Sequence, residues 1–172
     1  MRVLAVIDMQ EDFVRGILGT REAVGILGNV KAKIDGYLAE GGAVIYTQDT
    51  HTEDYLQTQE GRKLPVEHCI KGTPGWEIVP EVHVHGCQVI EKPSFGSLEL
   101  AECIKAMTGI TYIELVGLCT DICVISNAMI IRAALPEIQI QVDASCCAGS
   151  TTESHQNALR AMQACQIDVV GG

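Results

Sequence analysis

Three residues with reactive side chains stand just beyond apolar runs of this chain. Asp8 follows Val3–Ile7, Lys92 follows Gln88–Glu91, and Cys123 comes shortly after Tyr112–Val116. A thiolate is the reactive form of cysteine, and a helix N-terminus or a nearby ammonium lowers its pKa from about 8.5. Cys123 opens an apolar helical stretch, and Lys92 can supply the cation. Asp8 can accept the thiol proton and later return it to a leaving amine. Backbone N–H groups in the Leu118–Cys123 turn would then face a developing oxyanion. Each residue alone has a plainer reading. An Asp at a strand end forms turns, a lone Cys before an apolar helix packs in the core, and a lysine is solvated. Their meeting at one edge is what points to nucleophilic chemistry at a carbonyl. A second group is Asp49-x-His51, two metal-ligand types on one side of an extended segment. From spacing alone that pair reads as loop hydrogen bonding before it reads as a metal site.

The elements that must position these residues alternate. Val3–Ile7, Ala43–Thr47, Gln88–Glu91, Tyr112–Val116, Gln139–Val142 and Asp168–Val170 read as strands. Val24–Glu40 reads as a helix stopped by Gly41-Gly42, and further helices are expected over Leu98–Met107, Ile122–Ala134 and Glu153–Ala164. Strands apolar on both faces, separated by helices, predict an α/β fold of three layers with a six-stranded parallel sheet. Ligands of such sheets lie beyond the carboxyl ends of the strands, where Asp8, Asp49, Lys92 and Cys123 fall. The segment from Thr50 to Pro80 is long and irregular, and it carries His51, Glu60 and His68.

A length of 172 residues suits one domain spanning 1–172, and 47% hydrophobic against 20% charged residues suits a folded globular protein. The formal net charge of −10 argues against a nucleic-acid partner. The first apolar run is too short for a signal-peptide core or a membrane span. With eight cysteines scattered among apolar positions, a reducing, cytoplasmic setting is expected, with at least six of them plain core residues. His83, His85 and His155 read as solvated surface residues, and Ile130 and Ile131, on both sides of one helix, suggest interfaces of a homo-oligomer.

The strings VIDMQEDF (6–13), IEKPSF (90–95) and GLCTDICV (117–124), in this order and at these separations, resemble the isochorismatase-like cysteine hydrolases, and among them the nicotinamidase-related amidases. The resemblance covers essentially the whole chain. It implies a catalytic triad of Asp8, Lys92 and Cys123, a cis peptide at Leu118–Cys119, and oxyanion donors at the amides of Cys119 and Cys123. Isochorismatases proper lack the cysteine nucleophile, so its presence implies amide rather than vinyl-ether hydrolysis. The stretch QEGRKLPVEHCIKGTPGW (59–76) resembles the part of nicotinamidases whose His is a metal ligand, here His68. The implied cofactor is a divalent metal, zinc first, with manganese or iron as alternatives, held by Asp49, His51 and His68. The family's intermediate His is missing, with Gln57 near its place, and Glu60 is the substitute. Two departures concern the substrate: Pro65 stands where an aromatic residue would wall a pyridine ring, and Pro93-Ser94-Phe95 replaces a longer aromatic-bearing stretch. Phe13 is retained, and Phe95 or Trp76 would supply a second wall. The implied reaction is hydrolysis of a small planar amide, nicotinamide first, through a thioester. A metal-free amidohydrolase of ureido or carbamoyl compounds and a catalytically silent binding protein of the same fold remain alternatives.

Overall fold

A computed structural model describes all 172 residues. The sheet has six parallel strands in the order β3-β2-β1-β4-β5-β6, with β1 Arg2–Ile7, β2 Ala43–Asp49, β3 Gln88–Lys92, β4 Tyr112–Leu118, β5 Gln139–Ala148 and β6 Asp168–Val170. Chain order runs outward from β1 in both directions, so the topological switch point lies between β1 and β4. The carboxyl ends of these two strands open the crevice in which such sheets bind ligands.

The alternation along β1 explains the layers. Val3, Ala5 and Ile7 join one apolar cluster, while Leu4 and Val6 join the other. The first cluster is closed by α5 (Leu98–Ala106), α6 (Ile125–Ala134) and α7 (Thr152–Ala164), through Leu100, Ile104, Val124, Ile131, Leu159 and Met162. The second is closed by α1 (Glu11–Val14), α2 (Arg21–Gly25) and α3 (Leu27–Ala39), with Val30, Ile34 and Tyr37 facing the sheet. The crossover from β2 to β3 adds a short helix α4 (Gln59–Lys63) and packs Ile78, Val79 and Val82 on the same face. No helix is long and apolar enough to cross a membrane.

Several boundaries differ from the sequence reading. The helix expected over Val24–Glu40 is two helices broken at Ile26, which caps one and opens the other while burying its side chain. The segment before α6 starts at Thr120, as a π-helical turn over Thr120–Val124. Strand β5 runs on to Ala148, with a register shift against β4 between Leu115 and Gly117. Such an irregularity re-aims a strand end next to a site.

At the crevice itself, Gly117 adopts φ +118 opposite Ile7, and a Cβ there would stand 2.1 Å from the Ile7 carbonyl oxygen. Only glycine lets the two strand ends approach this closely. Away from the crevice, Glu114 on β4 is buried and takes Lys33 Nζ at 2.9 Å, the Tyr37 hydroxyl at 2.7 Å and Gln141 Nε2 at 2.9 Å. Lys33 also reaches Asp143 Oδ2 at 2.7 Å, so one ammonium bridges two carboxylates under α3.

The cysteines divide differently from expectation. All eight are free thiols. Besides Cys123, only Cys69, Cys146 and Cys147 are buried; Cys87, Cys103 and Cys119 are half-buried, and Cys165, just past the end of α7, is exposed. Ile131 is wholly buried within the protomer, so it offers nothing to an interface.

Candidate active site

Asp8 is the first residue beyond β1. It takes φ +47, a left-handed conformation that Asp tolerates better than most residues. Its N–H donates to Thr47 Oγ1 at 3.2 Å, and the Thr47 hydroxyl donates to Asp8 Oδ1 at 2.6 Å. Lys92, the last residue of β3, is 1% exposed. Its Nζ lies 2.7 Å from Asp8 Oδ2 and donates to Asp49 Oδ1 at 3.0 Å, to the Ser94 carbonyl at 2.9 Å and to Cys123 Sγ at 3.5 Å. Asp8, Lys92 and Cys123 thus come together from three distant segments. Apart from the ion pair, Asp8 Oδ2 has no hydrogen-bond partner, which leaves it free to take a proton.

The electrostatics of the thiol differ from the sequence expectation. Burial pushes the Cys123 thiol well above its ordinary pKa, the Asp8 charge adds to that, and Lys92 only opposes it. Burial also raises the Asp8 carboxyl, against the Lys92 charge. Burial alone would depress Lys92, but the charges of Asp8, Cys123 and Asp49 outweigh it and raise its pKa. The surroundings thus favour the protonated thiol of Cys123, with Lys92 between it and Asp8.

Cys123 lies in the π-helical turn that follows β4. The peptide between Leu118 and Cys119 is cis, as the resemblance implied. The Cys119 carbonyl accepts the N–H groups of Ile122 and Val124, while its own N–H donates to no protein acceptor.

The second cluster is also assembled. Asp49 ends β2; His51, Glu60 and His68 come from the long crossover, and the four offer ligand atoms that all lie within 4.8 Å of one another. His51 Nε2 is 2.9 Å from Asp49 Oδ2 and 3.7 Å from Glu60 Oε1, and His68 Nε2 is 3.7 Å from each of those carboxylate oxygens. Ligands at about 2.0–2.1 Å from a tetrahedral ion are separated by about 3.3 Å, so these spacings fit one divalent ion. His68 Nδ1 is 2.7 Å from the Val66 carbonyl, which suits the tautomer with a lone pair on Nε2. Two imidazoles and two carboxylates suit zinc, manganese or iron. Glu60 belongs to the set, and its neighbours would otherwise leave two carboxylates facing each other; burial and the Asp49 charge raise its pKa. Asp49 belongs to both clusters, giving Oδ1 to Lys92 and Oδ2 to the histidines.

A cavity of about 290 Å³ is lined by Cys123 together with Phe13, Leu18, Leu64, Phe95 and Ile122, and by Asp49, Glu60 and His68 of the second cluster. Phe13 and Phe95, the walls expected from the sequence, both line this cavity. Trp76 is not in the wall: its indole N–H donates to Thr50 Oγ1 at 2.9 Å. Sequence reading missed the aliphatic walls Leu18, Leu64 and Ile122, which carry no chemical signature. It also passed over Gln10, a buried amide whose Nε2 donates to the carbonyls of Asp49 and Trp76 at 2.8 Å and whose Oε1 accepts the Asp49 N–H at 2.7 Å. The clue was there, a polar residue two positions past Asp8 with no charge to explain it. His155 is half-buried and hydrogen-bonded to Thr120, and is not free at the surface. His83 is half-buried with its ring beside Tyr46, and His85 is exposed; both are apart from the site.

Residues 2–171 match the model of the isochorismatase domain. The chain belongs to the isochorismatase family. Among solved members of similar fold, the pyrazinamidase of Pyrococcus horikoshii, in complex with zinc, is 24% identical with a TM-score of 0.86 over 99% of both chains. The nicotinamidase/pyrazinamidase of Bacillus subtilis is 23% identical with a TM-score of 0.85 over 98% of both. The N-carbamoylsarcosine amidase of Thermoplasma acidophilum is 26% identical with a TM-score of 0.82, covering 98% of this chain and 95% of its own. The isochorismatase fold therefore extends over the whole length described here.

Proposed function

We propose that residues 1–172 form one cysteine-dependent amidase domain that hydrolyses a small neutral planar amide, nicotinamide first among the candidates, to a carboxylate and ammonia. The observation that carries this reading is the convergence of Asp8, Lys92 and Cys123 beside a largely apolar cavity that Cys123 shares with Asp49, Glu60 and His68 of the second cluster.

The chemistry follows from the groups present. Asp8 takes the thiol proton as the Cys123 sulfur attacks the amide carbon, and Lys92 holds the two acids at working distance while offsetting the charge. The carbonyl oxygen becomes an oxyanion facing the amides of Cys119 and Cys123. Asp8 returns its proton to the nitrogen as the carbon–nitrogen bond breaks, leaving a thioester and ammonia. A water, deprotonated by Asp8, attacks the thioester; the carbon–sulfur bond breaks, Asp8 returns that proton to sulfur, and the acid leaves, giving its own proton to solvent to become the carboxylate. Asp49, His51, Glu60 and His68 would hold the divalent ion, which when bound supplies a Lewis-acidic point for a substrate heteroatom such as a pyridine nitrogen. The remaining walls are mostly apolar, with Thr20 and Ser150 as neutral polar residues, and no Arg or Lys lines the cavity to receive a carboxylate. That favours neutral ring amides over N-carbamoyl amino acids, although the likeness to an N-carbamoylsarcosine amidase keeps that class in the test.

The test is an ammonia-release assay over nicotinamide, pyrazinamide, N-carbamoyl and ureido compounds, on metal-loaded and chelated protein. Release from the ring amides, weakened by chelation, is expected. Release from carbamoyl compounds alone, indifferent to chelation, overturns the reading.

A further inference from the structure

The turn that carries the nucleophile is braced from behind by the connection between β5 and α7. Thr120 opens the turn with its side chain wholly buried, and its Oγ1 is hydrogen-bonded to His155 Nδ1 at 2.7 Å. The next residue, Asp121, accepts the Ser150 N–H on Oδ1 at 2.8 Å and the Ser150 hydroxyl on Oδ2 at 2.5 Å. Between the two ties stands Gly149. A Cβ there would meet His155 Cβ at 2.8 Å and Asp121 Oδ1 at 2.9 Å, so the absence of a side chain lets α7 close on the turn. Ser150 also lines the substrate cavity, so the brace and the cavity wall are continuous.

We propose that His155 is a positioning residue: through Thr120 it fixes the Cys119–Cys123 turn so that its backbone N–H groups are held where the oxyanion forms. The inference rests on the amidase reading, and it assigns a role to a residue of the final helix that touches neither substrate nor sulfur. His155 is well suited to being tested. It is half-buried beside a separate cavity of about 310 Å³ lined by Glu22, Cys147 and Thr152, so its removal enlarges an existing space and does not open the core. The helix start it belongs to is capped independently, by Thr151 Oγ1 accepting the Ser154 N–H at 3.0 Å.

The consequence is a separation of two reactivities of one sulfur. Amide hydrolysis needs the oxyanion donors, whereas alkylation of Cys123 by iodoacetamide forms no tetrahedral oxyanion. His155→Ala is expected to lower kcat roughly tenfold to a hundredfold with KM little changed, and to leave the alkylation rate as in the parent. His155→Asn, whose side-chain amide can occupy the place of Nδ1, is expected to restore most of kcat. An unchanged kcat in His155→Ala, a parallel fall in kcat and alkylation, or an Asn variant no better than Ala each overturns the proposal. Hydrogen exchange of the amides from Cys119 to Val124 reads the brace without any substrate. Faster exchange in His155→Ala, reversed in His155→Asn, is expected, and unchanged protection in the Ala variant overturns it. A parent enzyme that releases no ammonia from any amide refutes the amidase reading, a result separate from the exchange arm.

Discussion

At the scale of single residues, the site depends on a thiol whose proton has a destination. Cys123→Ala is expected to abolish ammonia release while the thermal midpoint stays within a few degrees, because a methyl group fills most of the space but forms no thioester. Asp8→Asn is expected to be nearly as damaging, since an amide neither takes nor returns the proton. The raised pKa of Cys123 gives a pH signature with a definite sign. A thiol above its ordinary value is protonated at neutrality, so iodoacetamide labelling should climb steadily from pH 7 to 9. A plateau already at pH 7 would show a depressed thiol and a resting thiolate. His68, in the middle of the long crossover, was singled out only by the family resemblance, whereas the strand-end places of Asp8, Asp49, Lys92 and Cys123 were legible in the sequence because the apolar runs before them mark the strands. The state of the thiol was not, since it depends on burial and on the relative distances of Asp8 and Lys92, which no linear spacing expresses.

At the scale of elements, the number of strands, their parallel run and the layers followed from apolar patterns, because a strand buried on both faces has few other solutions. The order of the strands in the sheet is seen only in the structure. Extents were harder. β5 continues past Val142 through Asp143, Ser145 and two cysteines, residues that read as the end of a strand but are held by the sheet and by Lys33. The kink at Ile26 is invisible to periodicity, because the apolar positions continue across it. The crevice between β1 and β4 places the strictest demand on sequence. Gly117→Ala would force a Cβ against the Ile7 carbonyl in a backbone conformation that alanine avoids. A loss of at least about 2 kcal/mol in urea unfolding is expected, with activity falling as the strand ends separate. A loss below about 0.5 kcal/mol would mean that the ends can part without cost.

At the scale of the whole molecule, one buried charge cluster, Lys33 with Glu114 and Asp143, stands apart from the candidate active site. Lys33→Met leaves Glu114 and Asp143 facing each other without a cation, and should cost about 3 kcal/mol while kcat stays near that of the parent. Burial would raise the Asp143 carboxyl, but hydrogen bonds from Lys33 and Ser145 hold it below its ordinary value. Its contribution is therefore present above about pH 4 and lost as the pH falls through the lowered folded value, and the acid limb of the stability curve should be shallower in the Lys33 variant. Chelation should lower the thermal midpoint, and zinc should restore it, if Asp49, His51, Glu60 and His68 close around an ion. The order of these parts along the chain also matters for how the protein is made. All four residues of the candidate metal cluster have left the ribosome once His68 has emerged, whereas Cys123 follows 55 residues later, roughly 3–11 s at ordinary rates of synthesis. For most of that interval β1 has no β4 beside it, because the strand that leads to Cys123 is made only near its end. The sulfur is thus the last reactive group to be delivered, into a pocket whose acid, ammonium and ligand side chains were synthesised before it.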